Sequence, residues 1–136
     1  MIDHIGITVS NVARATEFYL KCLAPLGYGI VMEVSAEEAG SEPAIGFGPP
    51  GKEADFQTGK PSFWIGGGEP PSGPIHVAFV AETRVAVDAF HRAALAAGGK
   101  DNGAPGLRPQ YHETYYAAFV FDADGNNIEA VCHRPA

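Results

Sequence analysis

An internal repeat constrains the fold of this chain more than any other feature. The segment HIGITV, which begins at His4, is similar to the segment HVAFVA, which begins at His76, and the two are offset by 72 residues. The same offset carries Phe18 onto Phe90. Two copies of one structural unit, packed about a pseudo-twofold axis, bring the two histidines to equivalent positions. The repeat therefore predicts a duplicated fold in which His4 and His76 face one shared site.

Each copy has the pattern of one strand, one helix and further strands. Residues 2–10 alternate apolar and small or polar side chains, as in a half-buried strand. Asn11 is an N-cap candidate for a helix over residues 12–23, and Thr83 takes its place after a strand over 74–80. Shorter strands are predicted at 29–34, 44–47 and 62–65, around Leu107, and at 115–121 and 127–133. Each half therefore reads as β-α-β-β-β.

These patterns predict a single α+β domain over residues 1–136. The domain consists of a first module over 1–66, a linker over 67–73 and a second module over 74–136. Glycine and proline dominate the linker region, which suits a crossover between two packed units. The length of 136 residues and the apolar fraction of 46% suit one globular core.

Composition narrows the class of partner. The formal net charge of −7 argues against a nucleic-acid surface, which needs a basic patch, and favours a small-molecule ligand. No apolar run approaches the roughly 20 residues that span a bilayer, so no membrane insertion is expected. No signal peptide is visible, and Cys22 and Cys132 read as buried thiols. We therefore expect a cytoplasmic protein.

A third polar residue completes a candidate metal site. Glu129 lies in the predicted last strand, with Ile128 and Ala130 on the opposite face. A carboxylate in the middle of an apolar strand is costly unless it is paired. His4, His76 and Glu129 would form a facial set with open positions for Fe(II), Mn(II), Ni(II), Co(II) or Zn(II).

Other side chains are candidates for chemistry or substrate contact. His112 is a candidate general acid or base, because an unperturbed imidazole titrates near neutrality. Tyr115 or Tyr116, before the last hairpin, would polarise a substrate oxygen. The alternative is an exposed loop histidine beside core tyrosines. Predicted substrate contacts are Trp64, Phe47 and Tyr111, with plain core packing as the alternative for the strand aromatics.

Four motifs carry a resemblance to a known family. The chain resembles the glyoxalase / bleomycin-resistance / extradiol-dioxygenase superfamily, also called the vicinal oxygen chelate superfamily. The resemblance covers essentially the whole chain, and the closing motif is its most specific part. The motifs are DHIGITV at residues 3–9, TEFY at 16–19, HVAF at 76–79 and DADGNNIE at 122–129.

The resemblance implies a fold, an assembly and a ligand set. It implies paired β-α-β-β-β modules, a U-shaped mixed sheet around a metal in a central cup, and a homodimer. The family's ligand positions map onto His4, His76 and Glu129. Glyoxalase I has a fourth ligand, on the last strand of the first module, and Trp64 stands there in this chain. The three-ligand set is therefore closer to that of extradiol dioxygenases and fosfomycin-resistance-type transferases.

Two functions of different classes follow from the resemblance. The first is a metal-dependent enzyme, of the lyase/isomerase or dioxygenase type, whose small substrate chelates the metal through vicinal oxygens. The second is a metal-free protein that binds a drug or metabolite, as bleomycin-resistance proteins do. The His4, His76 and Glu129 set favours the enzyme.

Overall fold

The two halves of the sequence fold into the same order of strands and long helices, and the first half has one additional four-residue helix. The computed structural model describes residues 2–40, 42–51, 60–73 and 75–136. The first module contains β1 Ile5–Val9, α1 Val12–Leu23, β2 Gly29–Val34, a four-residue α2 Ala36–Ala39, β3 Ala44–Gly48 and β4 Phe63–Gly67. The second contains β5 His76–Val80, α3 Arg84–Ala96, β6 Lys100–Leu107, β7 Tyr116–Phe121 and β8 Asn127–Cys132.

Equivalent polar residues start the two long helices. The Asn11 side chain accepts a hydrogen bond from the backbone N–H of Arg14 at 3.0 Å, and Thr83 accepts from Ala86 at 3.1 Å. Each bond satisfies one of the backbone donors that the first turn of a helix leaves free. The chain leaves the first helix through Ala24–Leu26 and Gly27, whose φ of 83° favours glycine. Both predicted caps are confirmed.

Each module builds its own four-stranded sheet, and the two sheets have the same topology. Their strand orders are β1-β4-β3-β2 and β5-β8-β7-β6, with the first and last strands of each module parallel. In the described part of the chain the two sheets share no strand pairing. The predicted two-module α+β fold is confirmed, with two separate four-stranded sheets in place of one continuous sheet.

The strand register shows which positions of the two modules correspond. Gly6 in β1 lies opposite Trp64 in β4, and Ala78 in β5 lies opposite Glu129 in β8. Gly6 and Ala78 are separated by the 72-residue offset of the repeat. Trp64 and Glu129 therefore occupy the same position in their modules.

The two modules contact each other through the side of each sheet that carries the helices, which we call the inner face. Helix α1 packs on β4 and on α3, and α3 packs on β7 and β8. The rings of Phe63 and Phe79 meet edge to face across the two sheets, with centroids 5.1 Å apart. The opposite, outer face of each sheet is turned away from this shared core.

A buried hydrogen-bond network joins helix α1 to the turn before β8. The Tyr19 hydroxyl donates to Asp122 Oδ2 at 2.6 Å, and Asp122 Oδ1 accepts from the backbone N–H groups of Asp124 and Asn126. Burial raises the pKa of Tyr19 well above its usual range, so its hydroxyl remains a donor. The network fixes the predicted turn at residues 122–126 and with it the start of β8.

The sequence pattern located some strand ends poorly. Strand β6 covers Lys100–Leu107, although the sequence predicted only a strand around Leu107. Gly103, Pro105 and Gly106 interrupt its alternation, and the pairing with β7 shifts register at two places. The predicted strand 74–80 begins at His76 in the structure, and Pro74 lies outside the described residues. No helix in the described ranges is long and apolar enough to cross a membrane.

Candidate metal centre

His76 and Glu129 meet on the outer face of the second module. Their side chains are neighbours because β5 and β8 run parallel in adjacent positions. His76 Nε2 lies 3.1 Å from Glu129 Oε2. The Glu129 side chain is only 2% exposed, whereas His76 is 49% exposed. The pair therefore combines a buried carboxylate with an imidazole that solvent can reach.

A backbone carbonyl orients the His76 ring. His76 Nδ1 lies 2.9 Å from the carbonyl oxygen of Asn127. A carbonyl only accepts, so Nδ1 carries the ring proton and donates it. In the neutral imidazole this leaves the Nε2 lone pair directed toward Glu129. Metal-binding histidines use the same arrangement, in which the second ring nitrogen donates to a fixed acceptor.

A tyrosine holds the other oxygen of the carboxylate. The Tyr115 hydroxyl donates to Glu129 Oε1 at 2.5 Å. Burial, together with this bond, raises the pKa of Tyr115 to about 12, so the phenol stays a donor at neutral pH. Tyr115 thus fixes Oε1 and leaves Oε2 for His76. The predicted residues His76, Glu129 and Tyr115 are brought together.

His4 lies on the outer face of the first module. Its Nδ1 is 2.7 Å from Asp3 Oδ1, an orientation that leaves Nε2 free. It borders an open groove that is also lined by Gly6, Thr8 and Trp64. Within the described ranges of one chain, no three His, Cys, Asp or Glu side chains lie close enough together to hold a metal ion. His4 therefore does not join His76 and Glu129 within the chain.

Trp64 lies beside His4 on the first outer face and lines the same groove. Its ring covers Gly46, where a Cβ would lie 3.1 Å from Cη2 and from Cζ2. A side chain larger than hydrogen at position 46 would displace the indole or Pro61, whose Cβ lies 2.6 Å from the same point. The glycine thus accounts for the position of the predicted substrate contact.

Two other predicted residues point to the inner side. Phe47 is fully buried and packs against Tyr19 and Phe63, so it lines no open surface. The Tyr116 hydroxyl donates to Asp88 of helix α3 at 2.7 Å, and this bond raises the pKa of Tyr116. Strand alternation puts Tyr116 on the face opposite Tyr115. Neither residue faces the outer side on which His76 and Glu129 meet.

The remaining candidates lie in the loop before β7. The Tyr111 and Tyr115 rings meet edge to face, with centroids 5.2 Å apart, and Tyr111 is 64% exposed. His112 is exposed, and its Nδ1 lies 3.0 Å from Thr114 Oγ1. Tyr111 therefore extends the outer face through Tyr115, whereas His112 bonds within its own turn.

Two residues that no sequence pattern singled out lie beside the pair. Phe119 lies opposite Glu129 in the β7–β8 register, and its ring stacks on His76 at a centroid distance of 6.4 Å. Arg108 lies over the same ring, with its guanidinium carbon 5.4 Å from the centroid. Alternation along β7 was the available signal for Phe119. No local pattern marks Arg108, because its position depends on the course of β6.

Comparisons with known proteins agree with this fold. The family model described as Glyoxalase/Bleomycin resistance protein/Dioxygenase superfamily matches residues 1–130. No curated protein matches the chain. Among solved structures, a glyoxalase/bleomycin resistance protein from Albidiferax ferrireducens T118 is similar, with 25% identity, a TM-score of 0.68 and 98% of each chain covered.

Two further structures share the fold at lower identity. The fosfomycin resistance protein FosX from Listeria monocytogenes, a mutant complexed with Mn(II) and 1S,2S-dihydroxypropylphosphonic acid, is 16% identical with a TM-score of 0.64, over 96% of this chain and 88% of that one. A glyoxalase I mutant from Zea mays is 18% identical with a TM-score of 0.69, over 99% of this chain and 45% of that one. Because the family match extends over nearly the whole sequence, the chain belongs to the glyoxalase/bleomycin resistance protein/dioxygenase superfamily.

Proposed function

We propose that this protein is a metal-dependent enzyme whose small substrate chelates the metal through two neighbouring oxygens. His4, His76 and Glu129 are the proposed ligands. One observation carries the proposal: His76 Nε2 and Glu129 Oε2 face each other at 3.1 Å, while Asn127 and Tyr115 hold the remaining polar atoms of both side chains. At this separation the two atoms share a cation, either a proton that makes the pair a salt bridge or a metal ion that both atoms bind.

The separation fits the dimensions of a metal site. Zinc lies about 2.0–2.1 Å from a histidine nitrogen and about 2.0–2.2 Å from a carboxylate oxygen. Two such ligands in a tetrahedral arrangement are roughly 3.3 Å apart by the same dimensions. The observed 3.1 Å between His76 and Glu129 requires little movement to admit the ion.

A second chain supplies the third ligand in this proposal. His4 lies on the first outer face, away from the core that joins the modules, whereas His76 and Glu129 lie on the second outer face. In a twofold homodimer the first face of one chain can meet the second face of its partner, and symmetry then forms two equal sites. The proposed enzyme is therefore a homodimer with each site built from both subunits.

The chemistry follows from the open positions of a three-ligand site. A divalent ion bound there would act as a Lewis acid toward substrate oxygens. Glu129 and His76 keep their orientation through Tyr115 and Asn127, and Trp64 and Tyr111 would contact the substrate. His112 is the proposed proton carrier. The reaction is of the lyase/isomerase or dioxygenase type, and a cytoplasmic location stays a prediction from the sequence.

Metal binding tests the proposal against the metal-free alternative. We expect chelator-treated protein to take up close to one equivalent of Mn(II), Fe(II), Ni(II), Co(II) or Zn(II) per chain. Binding at 100 times the dissociation constant would stabilise the protein by about 2.7 kcal/mol, visible as a rise in melting temperature. Less than a tenth of an equivalent, with no thermal shift for any of these ions, would favour a metal-free binding protein.

Mixing two variants that each lack one histidine tests the shared site. His4→Ala and His76→Ala should each lose metal as homodimers. After dissociation and reassembly together, half of the dimers are mixed, and each mixed dimer has one site with both histidines. About one quarter of the wild-type metal content should return. If both ligands came from one chain, mixing would restore nothing.

A further inference from the structure

Arg108 lies on the same surface as the proposed metal ligands. Its guanidinium stacks over Phe119, with Cζ 5.4 Å from the ring centroid. His76 stacks on the same ring, and Phe119 lies opposite Glu129 in the sheet. A molecule that starts at the metal site and extends across the Phe119 ring therefore reaches Arg108.

Backbone groups of β6 hold this side chain in place. Arg108 Nη1 donates to the carbonyl oxygen of Gly106 at 2.8 Å, and Nη2 donates to that of Ala104 at 2.8 Å. A Cβ on Gly103 would lie 3.2 Å from Nη2, and one on Gly106 would lie 3.2 Å from Nη1. The two glycines thus make room for a guanidinium that folds back along β6, the strand that precedes Arg108.

The Arg108 guanidinium, although held in place, retains N–H donors that can bind an anion. In the part of the chain that the structure describes, no carboxylate oxygen lies within 4.0 Å of Arg108. Arginine has five N–H donors, and the carbonyl oxygens of Gly106, Ala104 and, at 3.5 Å, Leu107 take no more than three of them. A cation that is fixed but retains free donors loses little entropy when it binds an anion.

We infer that Arg108 forms an anion subsite, and that the substrate carries an anionic group about one aromatic ring away from its two chelating oxygens. This inference rests on the proposed function, since the chelating oxygens are those that bind the metal. The remaining donors of the guanidinium hold the anion, and Phe119 supports the atoms between the two ends. Arg108 thereby selects among substrates that share the same chelating group.

Two probes isolate the anionic group. Catechol and 3,4-dihydroxybenzoate chelate a metal through the same pair of oxygens, and only the second carries a carboxylate across the ring. Calorimetric titration of Zn(II)-loaded protein, in which the ion is redox-inert, should give 3,4-dihydroxybenzoate at least about tenfold tighter binding than catechol. Arg108→Gln should remove most of this preference and leave the catechol affinity unchanged.

Matched variants separate a specific contact from general charge. Arg108→Lys should keep part of the preference, and Arg92→Gln, an equal change of charge at an exposed position of α3, should keep all of it. Comparing each variant with the wild type cancels any intrinsic difference in chelation between the probes. A preference that survives Arg108→Gln overturns the anion subsite alone. Protein that binds neither Zn(II) nor catechol overturns the proposed function and the subsite together.

Discussion

The outer faces of the two modules share one backbone design and carry different side chains. The register that pairs Gly6 with Trp64 in the first module pairs Ala78 with Glu129 in the second. The next strands continue the correspondence, because Trp64 lies opposite Gly46 and Glu129 lies opposite Phe119. The first face thus has an indole over a glycine, and the second has a carboxylate beside a phenyl ring.

This difference shows how a duplicated fold becomes an asymmetric site. The first face contributes a histidine and an apolar wall, whereas the second contributes a histidine and a buried carboxylate. Neither face alone has the three proposed ligands. The specialisation of the two faces explains why pairing unlike faces, rather than like ones, completes the proposed site.

Among the changes that test this comparison, replacing the Glu129 carboxylate should have the largest effect, and the effect is on metal affinity. Glu129→Leu replaces the proposed ligand with an apolar side chain of similar size, and we expect metal affinity to fall at least about 100-fold. Trp64→Phe changes the equivalent position of the other module and should leave metal affinity within about twofold. Titration of chelator-treated protein with Mn(II) measures both. Equal losses would mean that the two faces do not differ as ligand sources.

Filling the glycine of the first face should cost stability. A Cβ on Gly46 would lie 2.6 Å from the Cβ of Pro61, so Gly46→Ala must displace Pro61 or Trp64. We expect a loss of about 2 to 3 kcal/mol in the free energy of unfolding, measured in urea. Gly66→Ala is the control, because nothing lies within 4 Å of a Cβ there. A Gly46→Ala protein as stable as the control would contradict the tight packing of this face.

The two helices show a second contrast at equivalent positions. The 72-residue offset carries Tyr19 onto His91. Tyr19 reaches from the first module to buried Asp122 in the second, whereas His91 bonds to exposed Asp101 within its own module. The first contact joins the modules, and the second fastens a helix to its neighbouring strand.

The hydrogen bond between Tyr19 and Asp122, which joins the modules, should stabilise the fold more than a hydrogen bond within one module. Tyr19→Phe removes a buried hydrogen bond to a carboxylate and should cost about 2 kcal/mol of unfolding free energy. Tyr116→Phe removes the half-buried bond to Asp88 and should cost about 1 kcal/mol. Urea denaturation of both variants makes the comparison. A smaller loss of unfolding free energy for Tyr19→Phe than for Tyr116→Phe would mean that Asp122 is held by its backbone partners alone.

The contact between His91 and Asp101 should give the smallest effect, which appears as the loss of its contribution to stability in acid. The hydrogen bond from His91 lowers the pKa of Asp101 below its usual 3.8. The bond therefore stabilises the fold above that pH, and the contribution is lost as the pH falls through the lowered pKa. Asp101→Asn should lose less stability than the wild type between about pH 5 and pH 3. Parallel stability curves would show that the His91 contact is not coupled to folding.

The sequence predicted the elements with local signals and missed contacts that depend on distant strands. Asn11 and Thr83 marked both helix starts, since an N-cap is defined by its neighbours. The alternation along β8 separated Glu129 from Ile128. The same reasoning did not separate the faces of Phe47 and Tyr116, because an aromatic residue suits either side of a strand. Arg108 had no local signal at all.

By itself, the sequence determined the duplication, the order of elements in each module and the candidate ligands, because these depend on spacing along the chain. The tertiary structure decided which ligands meet. It paired His76 with Glu129 at 3.1 Å through the parallel β5–β8 register and left His4 on the face of the other module. The physical reason is that burial of the apolar inner faces sets how the two modules pack. That packing, and not the repeat, determines where the outer faces point.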